Sequence, residues 1–161
     1  MNDRIRNGMA LVIALLVCYG VAAFGGLFSA RAGGDWYADL AKPSWTPPSW
    51  VFGPVWTLLY GMMAVAVWLV WLRRREGGAA AAMALFAVQL AFNAAWSGLF
   101  FGLHRPGVAL VDLVLLWLAL AATVWLFLRR RPAAGALLLP YLLWVSFALA
   151  LNFAIWRLNA S

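Results

Sequence analysis

The sequence predicts an all-α integral membrane protein built as a bundle of five transmembrane helices, and three observations predict it. Of 161 residues, 66% are hydrophobic and 11% are charged, whereas a soluble domain is about half apolar and a quarter charged. Five apolar stretches of about 21 to 25 residues follow one another, each long enough to cross a hydrocarbon layer of about 30 Å at 1.5 Å per residue. The charges fall between these stretches, Asp112 excepted, as the cost of an ion in hydrocarbon requires.

The first stretch, Gly8 to Phe28, exceeds the apolar core of a secretory signal and precedes no small-residue cleavage pattern, so a retained helix is expected. Cys18, the single cysteine, lies in its middle, where it reads as a small buried hydrophobe and leaves no intramolecular disulfide to form. The second stretch runs from Val51 to Leu72, the third from Ala79 to Leu103, the fourth from Val108 to Leu128 and the fifth from Ala136 to Trp156. Three connections are short (73–78, 104–107 and 129–135) and carry Gly or Pro beside basic residues, which end a helix at the headgroups and make sequential helices antiparallel neighbours. No hydrophilic segment is long enough for a second domain, so residues 1–161 are expected to form one transmembrane domain.

The net charge of +7 is explained by membrane topology rather than by nucleic acid, because the basic residues stand at helix ends. Alternating helices put Arg4, Arg6, Arg73, Arg74, Arg75, Arg129, Arg130 and Arg131 on one side and Arg31, Lys42, Arg105 and Arg157 on the other. That asymmetry predicts a cytoplasmic N-terminus in a bacterial cell membrane, with an organellar or outer membrane left open.

The connection between the first two helices, residues 30–50, is different. It carries Trp36, Tyr37, Trp45 and Trp50 together with Pro43, Pro47 and Pro48. Prolines fix φ and restrict the residue before them, so this loop is stiff, and Asp35 is a candidate N-cap for a short helix starting at Trp36. A stiff aromatic loop at a bundle mouth suits a lid, since large rings cover area at little entropic cost.

Eleven tryptophans are more than ordinary usage supplies. Trp68, Trp71, Trp125 and Trp156 stand near basic residues at span ends and read as an interfacial belt. Others recur at helical spacing with polar groups. On the third span Gln89, Asn93, Trp96 and Phe100 form one stripe at steps of 4, 3 and 4 residues; on the second Trp56, Tyr60, Met63 and Val67 align; on the fifth Pro140, Trp144, Ala148 and Asn152 do, flanked by Tyr141. Amides in hydrocarbon must face a partner helix or a cavity, so the stripes either enclose a flat, mostly apolar pocket with a few orienting groups or tie a dry core together. Opposite the stripe of the third span, Ala87, Ala91, Ala94, Gly98 and Gly102 make a row of small residues. It admits close backbone approach, either by a second copy in a homodimer or by a neighbouring helix.

Asp112 is expected to pair with Arg105 or a loop base, or to cap its helix. His104 stands in a loop, and with one His and one Cys in the chain no metal or axial haem site of ordinary spacing is available. Neither a phosphate-binding glycine loop nor a Ser-His-Asp arrangement is present.

Five segments in order carry a family resemblance: 36–48 (WYADLAKPSWTPP), 50–60 (WVFGPVWTLLY), 89–102 (QLAFNAAWSGLFFG), 109–113 (ALVDL) and 140–153 (PYLLWVSFALALNF). The chain resembles the TspO family of tryptophan-rich sensory and translocator proteins. The resemblance implies a five-helix bundle, usually a homodimer, with a pocket closed by the first loop, and ligands that are porphyrins, haem-pathway intermediates, cholesterol or benzodiazepine-like drugs. Carried over by motif, the pocket comprises Trp36, Tyr37 and Trp45 from the loop, Trp56 and Tyr60, Asn93 and Trp96, and Trp144, Phe147, Ala148 and Leu151. The family's sterol pattern falls on Leu151, Phe153 and Arg157, with Phe where the pattern has Tyr; the missing hydroxyl disfavours a sterol and leaves a tetrapyrrole, protoporphyrin or haem, as the preferred ligand, with no cofactor required. The function expected is therefore a membrane receptor or sensor for a flat hydrophobic ligand. Two alternatives are a light- and oxygen-dependent porphyrin-degrading enzyme, with Trp45 and Trp144 as its reactive candidates, and a transporter of porphyrins, sterols or lipids. Transport ranks last, because no inverted repeat or broken-helix pair is present.

Overall fold

The computed structural model describes residues 2–31 and 34–160. Ala32, Gly33 and the side chain of Arg31, which the topology argument counted, lie outside the described residues. Five helices among the described residues are long and apolar enough to span a membrane: α1 (Asp3–Arg31), α3 (Ser49–Trp71), α4 (Ala79–Ser97) continued by a π-helical turn (Gly98–Gly102), α5 (Pro106–Arg130) and α6 (Pro132–Asn159), with a short α2 (Gly34–Asp39) in the first connection. The fold class is the expected one, all-α and membrane-spanning.

The helix ends extend past the expected bounds where headgroup-level residues still propagate a helix. The α5–α6 connection shrinks to Arg131, extended at φ −150° and ψ 102°. Pro132 at the first position of α6 excludes the helical region for the residue before it and donates no N–H that the helix would need. α2 begins at Gly34, so Asp35 sits inside its first turn rather than capping it; a carboxylate there faces the positive end of the helix dipole.

The spanning helices close into a ring. α1 packs on α3, α3 on α6, α6 on α5, α5 on α4, and α4 returns to α1. The expectation that sequential helices are neighbours therefore fails at α3 and α4, which touch only sparingly, because the turn over residues 72–78 is long enough to cross the bundle end.

The half of the ring nearest the α3–α4 turn is solid. Met63, Ala64, Ala66, Val70, Phe127 and Leu138 are fully buried there, and Phe86 stacks on Phe127 at 6.0 Å. Small residues set the approach of α1: a Cβ on Gly61 would lie 2.9 Å from the Tyr19 hydroxyl, and one on Gly25 would lie 2.8 Å from Ser97 Oγ. The other half, under the first connection, is hollow.

Two ends are distinguished by charge. Arg74 donates to Asn7 Oδ1 at 3.0 Å and Arg73 to the Arg130 carbonyl at 3.3 Å, which brings the N-terminus and the α3–α4 and α5–α6 turns together. Three of the four belt tryptophans frame this end, whereas Trp156 stands at the other, beside Gly107. Trp68 donates to the Asn7 carbonyl at 2.9 Å, Arg74 lies 4.9 Å over Trp71, and Arg129 lies 4.3 Å over the exposed Trp125.

Asp112 departs from expectation. Among the described residues the acids in ion pairs are Asp3, with Arg6, and Glu76, with Arg73; Asp112 is buried and its Oδ2 has no hydrogen-bond partner. The reason is angular: Asp112 shares the inward face of α5 with Ala109, Leu113 and Leu116, whereas Arg105 precedes the helix and is exposed.

Candidate ligand-binding site

A cavity of about 820 Å³ occupies the hollow half of the ring, within the range of about 300–1,000 Å³ typical of small-molecule sites. Each of the five spanning helices contributes to its wall, and residues 34–49 contribute to its roof.

The aromatic stripes meet here around a cavity, one of the two arrangements their spacing left open. Trp56 and Tyr60 of α3, Asn93 and Trp96 of α4, and Trp144, Phe147, Ala148 and Leu151 of α6 line the cavity with Tyr37 of α2. The rings form two clusters. Trp56 stands edge-on to Trp144 at 6.5 Å and lies 5.4 Å from Tyr60, and Phe52 packs edge-on to Trp144 at 5.8 Å. Across the cavity, Trp96 stacks on Phe100 at 5.1 Å and meets Phe101 edge-on at 5.7 Å.

The buried amides of Asn93 and Asn152 are satisfied by groups on other helices, as hydrocarbon demands. The Tyr60 hydroxyl donates to Asn93 Oδ1 at 2.5 Å, and Asn93 Nδ2 donates to the Tyr141 oxygen at 2.5 Å. One amide thus ties α3, α4 and α6 together beneath the cavity. A second tie runs through Asn152: Trp96 Nε1 donates to its Oδ1 at 3.0 Å, and its Nδ2 donates to the Pro106 carbonyl at 2.8 Å. Gln89 is the exception, fully buried with neither amide atom partnered.

The roof is held by its own polar contacts. Lys42, the one ionised side chain among the described lining residues, donates to the carbonyls of Tyr37, Ala38 and Leu40 at 2.6, 2.9 and 2.9 Å and lies 4.8 Å over the Tyr37 ring. Its ammonium therefore caps the end of α2, and the cavity it borders is otherwise neutral. Partial burial raises the Tyr37 phenol above its usual pKa of 10, so that group is a neutral donor there.

Several expected residues stand elsewhere. Trp36 is absent from the wall: it stacks on His104 at 4.3 Å and packs edge-on to Phe100 at 5.6 Å, bracing the roof from outside. His104, expected alone in its loop, is thus engaged, at a φ of 53°. Trp45 is also outside the wall, half exposed and edge-on to Phe147 at 5.8 Å. The sterol pattern comes apart, since Leu151 is buried and lines the cavity whereas Phe153 and Arg157 are exposed on the outer face of α6; positions two apart on a helix point about 200° apart. The small-residue row of α4 also splits. Ala87 and Ala91 are exposed and Ala94 and Gly98 are half-buried, but Gly102 turns inward, where a Cβ would lie 2.8 Å from the Phe28 ring.

The cause of that split is the π-helical turn, which sequence spacing did not reveal. Five residues per hydrogen-bonded ring shift the register after Ser97, turning both Phe100 and Phe101 toward the cavity and Gly102 toward α1. The G-L-F-F-G segment, two glycines around two rings, was the available signal. Phe52, Phe101 and Ser97 are further wall residues not singled out from spacing.

A match to the TspO/MBR family spans residues 13–157. The chain belongs to the TspO/MBR family. It is 41% identical to the tryptophan-rich protein TspO of Chlorobaculum tepidum, over 99% of each chain. It is 44% identical to the tryptophan-rich sensory protein of Cereibacter sphaeroides, over 78% of this chain and 77% of that one. It is 45% identical to the translocator protein of Homo sapiens, over 84% and 81%. With its five spanning helices, this TspO/MBR protein is an integral membrane protein in contact with lipid.

Proposed function

We propose that the protein is a membrane receptor or sensor that binds a tetrapyrrole, protoporphyrin or a haem-pathway intermediate, in the cavity beneath its aromatic roof. The observation that carries this reading is the wall itself: indole, phenol and phenyl rings from α3, α4 and α6 around a neutral space of about 820 Å³. Rings stack on a flat macrocycle, and hydroxyl and amide groups orient its polar edge. The names of the relatives, sensory and translocator proteins, agree with a role in which a ligand is held. We place the arginine-rich end in the cytoplasm by the positive-inside rule, and we assign the exposed Ala87 and Ala91 of α4 to contact with a second copy in a homodimer.

The test is protoporphyrin titration of the detergent-purified protein, followed by tryptophan quenching in the dark and by porphyrin absorbance in light. Saturable quenching that Trp144→Phe weakens, with absorbance stable in light, supports the receptor. Protein-dependent bleaching would instead favour porphyrin degradation, and that chemistry would run through Trp144, the candidate indole in the wall, rather than Trp45. No saturable quenching would remove the tetrapyrrole reading.

A further inference from the structure

The roof is fastened to the far end of the chain by one side chain. Asn159, in the last turn of α6, accepts the Ala41 N–H on its Oδ1 at 3.0 Å and donates from Nδ2 to the Ala41 carbonyl at 2.9 Å. Its second amide hydrogen goes to the Ile155 carbonyl at 2.8 Å, which fixes the side chain on its own helix. A carboxamide that meets both backbone polar groups of one residue copies the pairing of two residues in facing β-strands, and Ala41 belongs to no helix that would otherwise satisfy them.

From this pairing we infer that Asn159 is the latch of the roof, a positioning residue that controls exchange of the cavity's occupant without touching it. The mechanical path is short. Ala41 precedes Lys42, whose ammonium binds the carbonyls of Tyr37, Ala38 and Leu40, so residues 37–42 move as one body. Tyr37 and Ala38 line the cavity, and so does Ile155, to which the latch is anchored. Holding Ala41 therefore holds Tyr37 over the cavity. The contact is accessible to water, so it can break and remake at modest cost. Among the described residues, the ring contacts of the roof are Trp36 on His104 and Phe100, Tyr37 on Phe100 and Phe101, and Trp45 on Phe147, which lack the directional pairing of the Asn159 bonds.

Tyr37 and Ala38 border the cavity while Asn159 holds Ala41, so the same latch opens for both ingress and release. Breaking it raises both rate constants and leaves their ratio nearly unchanged. Asn159→Asp is the sharpest probe, because it keeps the shape and places an acceptor-only carboxylate oxygen against the Ala41 and Ile155 carbonyls; Asn159→Leu removes all three bonds.

Two measurements test this on the full chain. In the ligand-free protein, amide hydrogen exchange over residues 34–48 is expected to accelerate about tenfold in both variants, the loss of two exposed hydrogen bonds, with exchange in α3 and α5 unchanged. In stopped-flow tryptophan quenching with protoporphyrin in the dark, association and dissociation are each expected to rise about tenfold while Kd stays within about twofold. The kinetic arm rests on the receptor reading and the exchange arm does not. If wild-type protein shows no saturable quenching, the receptor reading fails and exchange alone decides the latch. Wild-type exchange of residues 34–48 in both variants overturns the latch, as do association and dissociation rates that both stay at wild-type values, or a Kd raised through faster dissociation alone.

Discussion

Replacing Asn93 by Ala removes the amide that holds Tyr60 and Tyr141, and its cost can be worked from their surroundings. Tyr141 is fully buried and Tyr60 is 4% exposed, yet Tyr60 borders the cavity, where water or a ligand atom can replace the lost acceptor. An orphaned buried polar group costs about 1–3 kcal/mol, so the full penalty falls on Tyr141 and a smaller one on Tyr60, about 2–4 kcal/mol together. Interhelical hydrogen bonds in membranes average about 0.6 kcal/mol in double-mutant cycles, which sets a floor of about 1 kcal/mol for the pair of bonds. The decisive comparison is with the triple variant Asn93→Ala, Tyr60→Phe, Tyr141→Phe, in which no polar group is left to orphan. Equilibrium unfolding in mixed SDS micelles is the assay. Asn93→Ala is expected to be destabilised by about 2–4 kcal/mol and the triple variant to recover at least about half of that loss. A single variant within about 0.5 kcal/mol of wild type, or a triple variant no more stable than the single, would refute the reasoning that Asn93 is retained to satisfy two buried phenols.

Trp144→Ala, which removes a wall ring packed on Phe52, Trp56 and Phe147, should weaken protoporphyrin binding about tenfold or more, while Trp45→Ala should change Kd less than about threefold, both read by dark quenching of the remaining tryptophans. Gly135→Ala should destabilise by about 1–3 kcal/mol in the same micelle titration, because the added Cβ would collide with Leu128 Cγ and lie 2.6 Å from the Leu128 backbone nitrogen; Gly20→Ala, whose Cβ meets nothing within 4 Å, should be neutral or slightly stabilising. Ala91→Phe, on the exposed face of α4 assigned above to the proposed homodimer contact, should lower the mass by light scattering of the detergent-purified protein relative to wild type without altering Kd for protoporphyrin; equal masses would refute that assignment.

The five spans and the aromatic stripes were legible in the sequence because both rest on short-range rules. A hydrocarbon layer admits only long apolar runs whose backbone bonds close within the segment, and a helix converts spacing into faces with no further information. The stripe residues Trp56, Tyr60, Asn93, Trp96, Trp144 and Ala148 therefore fell on one cavity, joined by Tyr37, Phe147 and Leu151, which the family resemblance rather than spacing had named. Trp36 and Trp45 did not, because they sit in the connection, where no periodicity says which way a ring turns. The residues of the sterol pattern divide for the opposite reason: the pattern counts residues without asking which face they occupy, and helical geometry sends Leu151 inward and Phe153 outward.

By itself, then, the sequence determined solvent, helix number, the inward faces of α3, α4 and α6 and the asymmetry of charge, all consequences of local composition and a 3.6-residue period. Only the tertiary structure decided the ring order that separates α3 from α4, the π-helical turn that aims Phe100 and Phe101 together, the burial of Asp112 away from Arg105 and the pairing of Asn159 with Ala41. Each of these depends on which helices meet across the bundle, and contacts between residues as far apart in the chain as 41 and 159 are set by packing that no window of neighbouring residues contains.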